Sequence, residues 1–179
     1  MRTIDVPLLR DLTELVDLAD RSYGSRTAYR ELDEASGVHE YSYAQVRADV
    51  TALGTALFDL GLAGRHLAVV GENCYSYVIC YLAVVGAGGV IVPLDKELTA
   101  DDLARLIDRS DAEAVGYGDL LHAEMPQILT GCPKVRLSFN LSRFADPSHE
   151  PAFDRLLALG RELLAAGDQR FAQVEVDPD

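Results

Sequence analysis

Basic residues are scarce in this chain. Its 179 residues hold 16 Lys and Arg against 29 Asp and Glu, a formal net charge of −13. Binding to phosphate needs clustered Lys and Arg, so the deficit argues against a nucleic-acid-binding face. It also disfavours docking on anionic lipid and predicts a solvated acidic surface. Cysteine is rare as well. Cys74, Cys80 and Cys132 cannot all pair within one chain, and they lack the close spacing of a zinc site. Cys74 and Cys80, six apart on one predicted helix, point to different faces and read as small buried hydrophobes in a reducing cytosol. The amino terminus has no long apolar core before a small-residue cleavage site, so no secretory signal is evident. His39, His66, His122 and His149 are scattered without ligand or triad spacing. Asp101 and Asp102 fall in the first turn of a predicted helix, where carboxylates favour the dipole, so no paired-carboxylate site is supported. The residues therefore nominate no catalytic group and no metal ligand.

One run without charge stands out, residues 74–94. It matches the ~20 residues of a bilayer span. However, Gly86, Gly88 and Gly89, a Val-Ile-Val run and Pro93 break it after about three turns, and its flanks have no positive bias. A buried helix plus a strand is the better reading. Residues 67–70 form a short apolar strand closed by Gly71, Asn73 caps a helix over residues 74–85, and residues 90–92 begin a second strand stopped by Pro93. Strand, buried helix, strand is the unit of a parallel sheet.

Around this unit the pattern alternates helix and strand. Asp11 with Glu14 has capping-box spacing and opens a helix over residues 12–22. Residues 27–31 and 40–42 flank a polar loop, an antiparallel hairpin. Ser42 with Gln45 caps a helix of about eighteen residues, whose single apolar face is Val46, Val50, Leu53, Leu57 and Leu60. Thr99 with Asp102 caps another, carrying Leu103, Leu106 and Ile107. A strand at 114–117, a helix at 120–129, a strand at 135–139, a loop at 140–150 and a helix at 151–166 complete the order. With 49% hydrophobic and 25% charged residues, the chain is globular and long enough to bury roughly 70% of its unfolded surface. The expected fold is α/β, a largely parallel sheet flanked by helices, with a small antiparallel hairpin near the amino end.

Two glycine motifs invite comparison with anion-binding loops and do not fit them. Gly86-Ala-Gly-Gly89 lies between a helix and the next strand, whereas a dinucleotide fingerprint follows a strand and opens a helix, so it lets the helix end close to the sheet. Thr130-Gly-Cys-Pro-Lys134 follows a helix and enters a strand, which reads as a turn. Gly71, Glu72 and Asn73 are the best positional candidate. They sit at the carboxyl end of a parallel strand, where open α/β sheets place ligands, and are expected to border a substrate pocket of the complete protein. An ordinary strand-to-helix turn is the competing reading.

Tyr41-Ser-Tyr-Ala-Gln-Val46, Ala52-Leu-Gly-Thr-Ala-Leu57, Val69-Val-Gly-Glu-Asn73 and Tyr81-Leu-Ala-Val-Val-Gly-Ala-Gly-Gly-Val-Ile-Val-Pro-Leu-Asp95 resemble the amino-terminal part of AMP-forming acyl-CoA synthetases. Gly71-Glu-Asn-Cys-Tyr-Ser-Tyr77 and Pro93-Leu-Asp-Lys-Glu-Leu98 look most like the long-chain fatty acid branch, which more often has Arg where Cys74 stands and Trp where Tyr77 stands. The resemblance implies a two-step reaction, an acyl-adenylate made from ATP and then captured by coenzyme A, with Mg²⁺ assisting the phosphate chemistry. It implies a cytoplasmic enzyme that at full length can sit peripherally on a membrane. In the family, the Ser/Thr/Gly-rich ATP loop, the ribose-binding Asp and the catalytic Lys all follow the matched part. No counterpart exists here, so no catalytic or cofactor-binding residue is carried over. Residues 1–179 are accordingly expected to be a subdomain truncated before the ATP loop, inactive and without cofactors by itself. Its expected partners are the missing carboxyl-terminal parts, with a fatty acid substrate for the whole enzyme and a homodimer through uncovered apolar surface as a further expectation. A freestanding α/β binding module, an interaction subunit and an amino-acid-activating adenylation domain remain alternatives.

Overall fold

The computed structural model describes residues 8–33, 37–143 and 152–175. In chain order the elements are α1 (Leu12–Tyr23), β1 (Thr27–Asp33), β2 (Gly37–Ser42), α2 (Tyr43–Asp59), β3 (His66–Val70), α3 (Tyr75–Gly86), β4 (Val90–Leu94), α4 (Ala100–Arg109), β5 (Ala112–Tyr117), α5 (Met125–Leu129), β6 (Leu137–Asn140) and α6 (Ala152–Ala165). Strands β1 and β2 form the antiparallel hairpin, and the other four form a parallel sheet in the order β4-β3-β5-β6. The fold is the predicted α/β class.

Alternation along β3 divides the core. Leu67 and Val69 face a cluster built from α2, α3 and α6, including Leu53, Leu57, Ile79, Phe153 and Leu157. Ala68 and Val70 face the opposite cluster, with Leu103 and Ile107 of α4 and Met125 and Ile128 of α5. A strand buried on both faces reads as a continuous apolar run, as residues 67–70 do.

Three of the predicted caps form. Glu14 N–H donates to Asp11 Oδ1 at 2.7 Å, Gln45 N–H to Ser42 Oγ at 3.1 Å and Asp102 N–H to Thr99 Oγ1 at 3.2 Å. The fourth, Asn73, does not. Cys74 takes the N-cap position of α3 with no side-chain capping bond, and Asn73 is exposed. Instead Glu31 of the hairpin accepts from Tyr75 N–H at 3.4 Å. A carboxylate brought by the tertiary fold has replaced the local cap.

Other differences also have physical causes. Strand β4 runs through Pro93 to Leu94, because it is an edge strand and has a partner on one side only. The helix expected over 120–129 is a 3₁₀ turn, Asp119–Leu121, followed by the five-residue α5. Pro126 sits in the first turn of α5, since a continuous helix would set its ring against the carbonyl four residues back. The second half of α2 is buried all round, not on one face, because α1, α3 and α6 pack on different sides of it. Strand β6 begins at Leu137, later than expected, and the hairpin strands are longer than expected. Of the loop predicted over 140–150, residues 144–150 lie outside the described residues.

Candidate functional site

A cleft of about 680 Å³ opens at the carboxyl ends of the parallel strands. The chain goes from β3 outward to β4 and then crosses back over β3 to β5, so the strand order reverses between β3 and β5. Such a reversal splays the loops that leave the two strands to opposite faces and leaves a crevice between them. The two loops begin with Gly71 and Gly118. They approach so closely that a Cβ on Gly71 would lie 2.8 Å from Gly118 N, and one on Gly118 would lie 2.7 Å from Glu72 Oε2. Gly118 N–H donates to Val70 O at 2.9 Å, extending the ladder past the strand ends.

Of the three predicted residues, Glu72 lines the cleft and pairs with Lys96 Nζ at 3.2 Å. Gly71 packs against Gly118 without lining the cleft itself, and Asn73 is exposed to solvent outside the lining. The remaining wall was not nominated from sequence. Glu31, Leu32 and Asp33 come from the hairpin, Asp119 and Leu120 follow β5, and Leu141, Ser142 and Arg143 follow β6. Applying the strand-end rule to β5 and β6 as well would have found the last two groups. No local signal marks the hairpin residues.

Arg143 is the cationic group of this lining. Its Nη2 lies 2.9 Å from Asp154 Oδ1, and its guanidinium stands 5.6 Å from the Tyr41 ring centroid and 5.8 Å from that of Tyr75. Its Nε and Nη1 are buried and have no hydrogen-bond partner among the described residues. Burial opposes its charge, but Asp154, Tyr41 and Asp49 outweigh that and hold its pKa above the ordinary value. The Tyr41 and Tyr75 rings stack at 3.6 Å and 6°. Behind them Tyr75 donates to Asp49 Oδ2 at 2.9 Å, while Arg161 Nη2 lies 2.6 Å from the other oxygen of this carboxylate, which is 1% exposed. This network fixes the base of the cleft through charge-assisted bonds.

The chemistry available is limited. Glu31, Asp33, Glu72 and Asp119 face the cleft against Arg143, so the lining repels a triphosphate. Burial pushes the Cys74 thiol up to about 11, with the amides of Tyr77 and Ser76 opposing it, so it is a poor nucleophile at neutral pH. Among the described residues no group of His, Cys, Asp and Glu could hold a metal ion. Likewise no described helix is long and apolar enough to cross a membrane. The 130–134 segment is a turn, with Lys134 Nζ bound to Asp111 at 2.6 Å. The 86–89 glycines bring the end of α3 close to the sheet, where a Cβ on Gly89 would lie 2.6 Å from Arg65 O.

The family model for "AMP-binding enzyme" matches residues 17–160. This chain belongs to the AMP-binding enzyme family. Among its curated relatives, the crotonobetaine/carnitine–CoA ligase of Escherichia fergusonii is 30% identical over 99 residues, a stretch that is 54% of this chain and 19% of that ligase. Among solved structures, a long-chain-fatty-acid–CoA ligase from Archaeoglobus fulgidus matches with a TM-score of 0.71 at 16% identity, over 88% of this chain and 31% of the other. The A-PCP didomain of a carboxylic acid reductase from Segniliparus rugosus, in complex with AMP, matches with a TM-score of 0.64 at 19% identity, over 87% and 24%. The chain thus covers about a fifth of its curated relative and a quarter to a third of these two structures, which share its fold.

Proposed function

We propose that this chain is the amino-terminal subdomain of an ATP-dependent, AMP-forming carboxylate–CoA ligase, in which the whole protein activates a carboxylic acid through an acyl-adenylate. The observation that carries this reading is the family match over residues 17–160. A long-chain fatty acid is the favoured substrate class, in keeping with the sequence motifs around Gly71 and Pro93 and with the fatty-acid ligases among chains of the same fold. The residues in hand do not fit ATP with Mg²⁺. Four carboxylates line the cleft, and no described set of side chains suits a metal, so the phosphate chemistry belongs to parts of the protein beyond this region. Gly71, Glu72 and Gly118 border the pocket from the sheet side, and the 1–179 region by itself forms no adenylate. The whole enzyme works in the cytoplasm and can sit peripherally on a membrane at full length.

ATP–pyrophosphate exchange driven by a long-chain fatty acid tests this directly. Exchange is expected with the natural polypeptide detected by an antibody to this chain, at several times 19.5 kDa, and none with the 179 residues alone. Exchange by the 179 residues alone, or a natural polypeptide of the same size, overturns the reading.

A further inference from the structure

We draw no further inference here: the strongest candidate, the open β4 edge of the parallel sheet at Val90 with the uncharged outer side of α3 at Tyr81, is an unpartnered apolar face, and nothing in the structure shows what covers it.

Discussion

The two faces of the sheet are built differently. The face of α4 and α5 is apolar, closed by Leu103, Ile107, Met125 and Ile128. The face of α2, α3 and α6 holds the buried polar side chains Asp49, Thr55 and Ser76, and two of its helix contacts rely on glycine. A Cβ on Gly160 of α6 would lie 1.8 Å from Ala52 O of α2, and one on Gly54 would lie 2.2 Å from the Phe171 ring. On the first face each helix lies half in water and its pattern shows which side is inward. On the second, one helix is enclosed by others, and the fit depends on which residue meets which.

The largest effect should therefore come from a small addition on the second face. Gly160→Val forces two backbones apart and should cost about 4 kcal/mol in urea unfolding, at the upper end for overpacking. Gly131→Ala near α4, where the new Cβ would be 3.4 Å from Ala104, should stay within about 0.5 kcal/mol. Equal costs would break the comparison.

Next comes the buried charge. Asp49→Ala leaves the Tyr75 hydroxyl and Arg161 without their partner and should cost about 3 kcal/mol. Asp49→Asn, which keeps the shape and an acceptor, should cost less.

Alkali should act on the same face. Burial, the first cause, pushes Cys80 up to about 12 from 9 and Tyr41 up to about 12 from 10, so the fold favours their neutral forms. Their contribution is complete below pH 9 and pH 10 respectively and is lost as pH rises toward 12. The urea midpoint should fall through this window, and Tyr41→Phe should make the fall less steep above pH 10. An unchanged slope would sink the assignment to Tyr41.

The smallest effect separates a local cap from a tertiary one. Thr99→Ala should cost about 1 kcal/mol, because Asp102 N–H loses its acceptor. Asn73→Ala should change stability by no more than about 0.5 kcal/mol, since α3 takes its acceptor from Glu31. A cost near 1 kcal/mol at Asn73 would restore the local cap.

By itself the sequence determined the α/β alternation, the hairpin, the parallel strands, and the caps at Asp11, Ser42 and Thr99. All of these follow from interactions between residues a few positions apart or from the apolar period of one element. It misplaced what depends on meetings over long separations. Glu31 caps a helix 44 positions later, α2 lost its single face to three packed neighbours, and Phe171 fills space left by Gly54 and Gly86. Most of the cleft falls in this class, because its walls come from the hairpin and from loops after β5 and β6, which only the sheet order brings together. Local pattern records what each segment will become, and the tertiary structure decides which segments share a site, since that choice depends on packing among groups far apart in the chain.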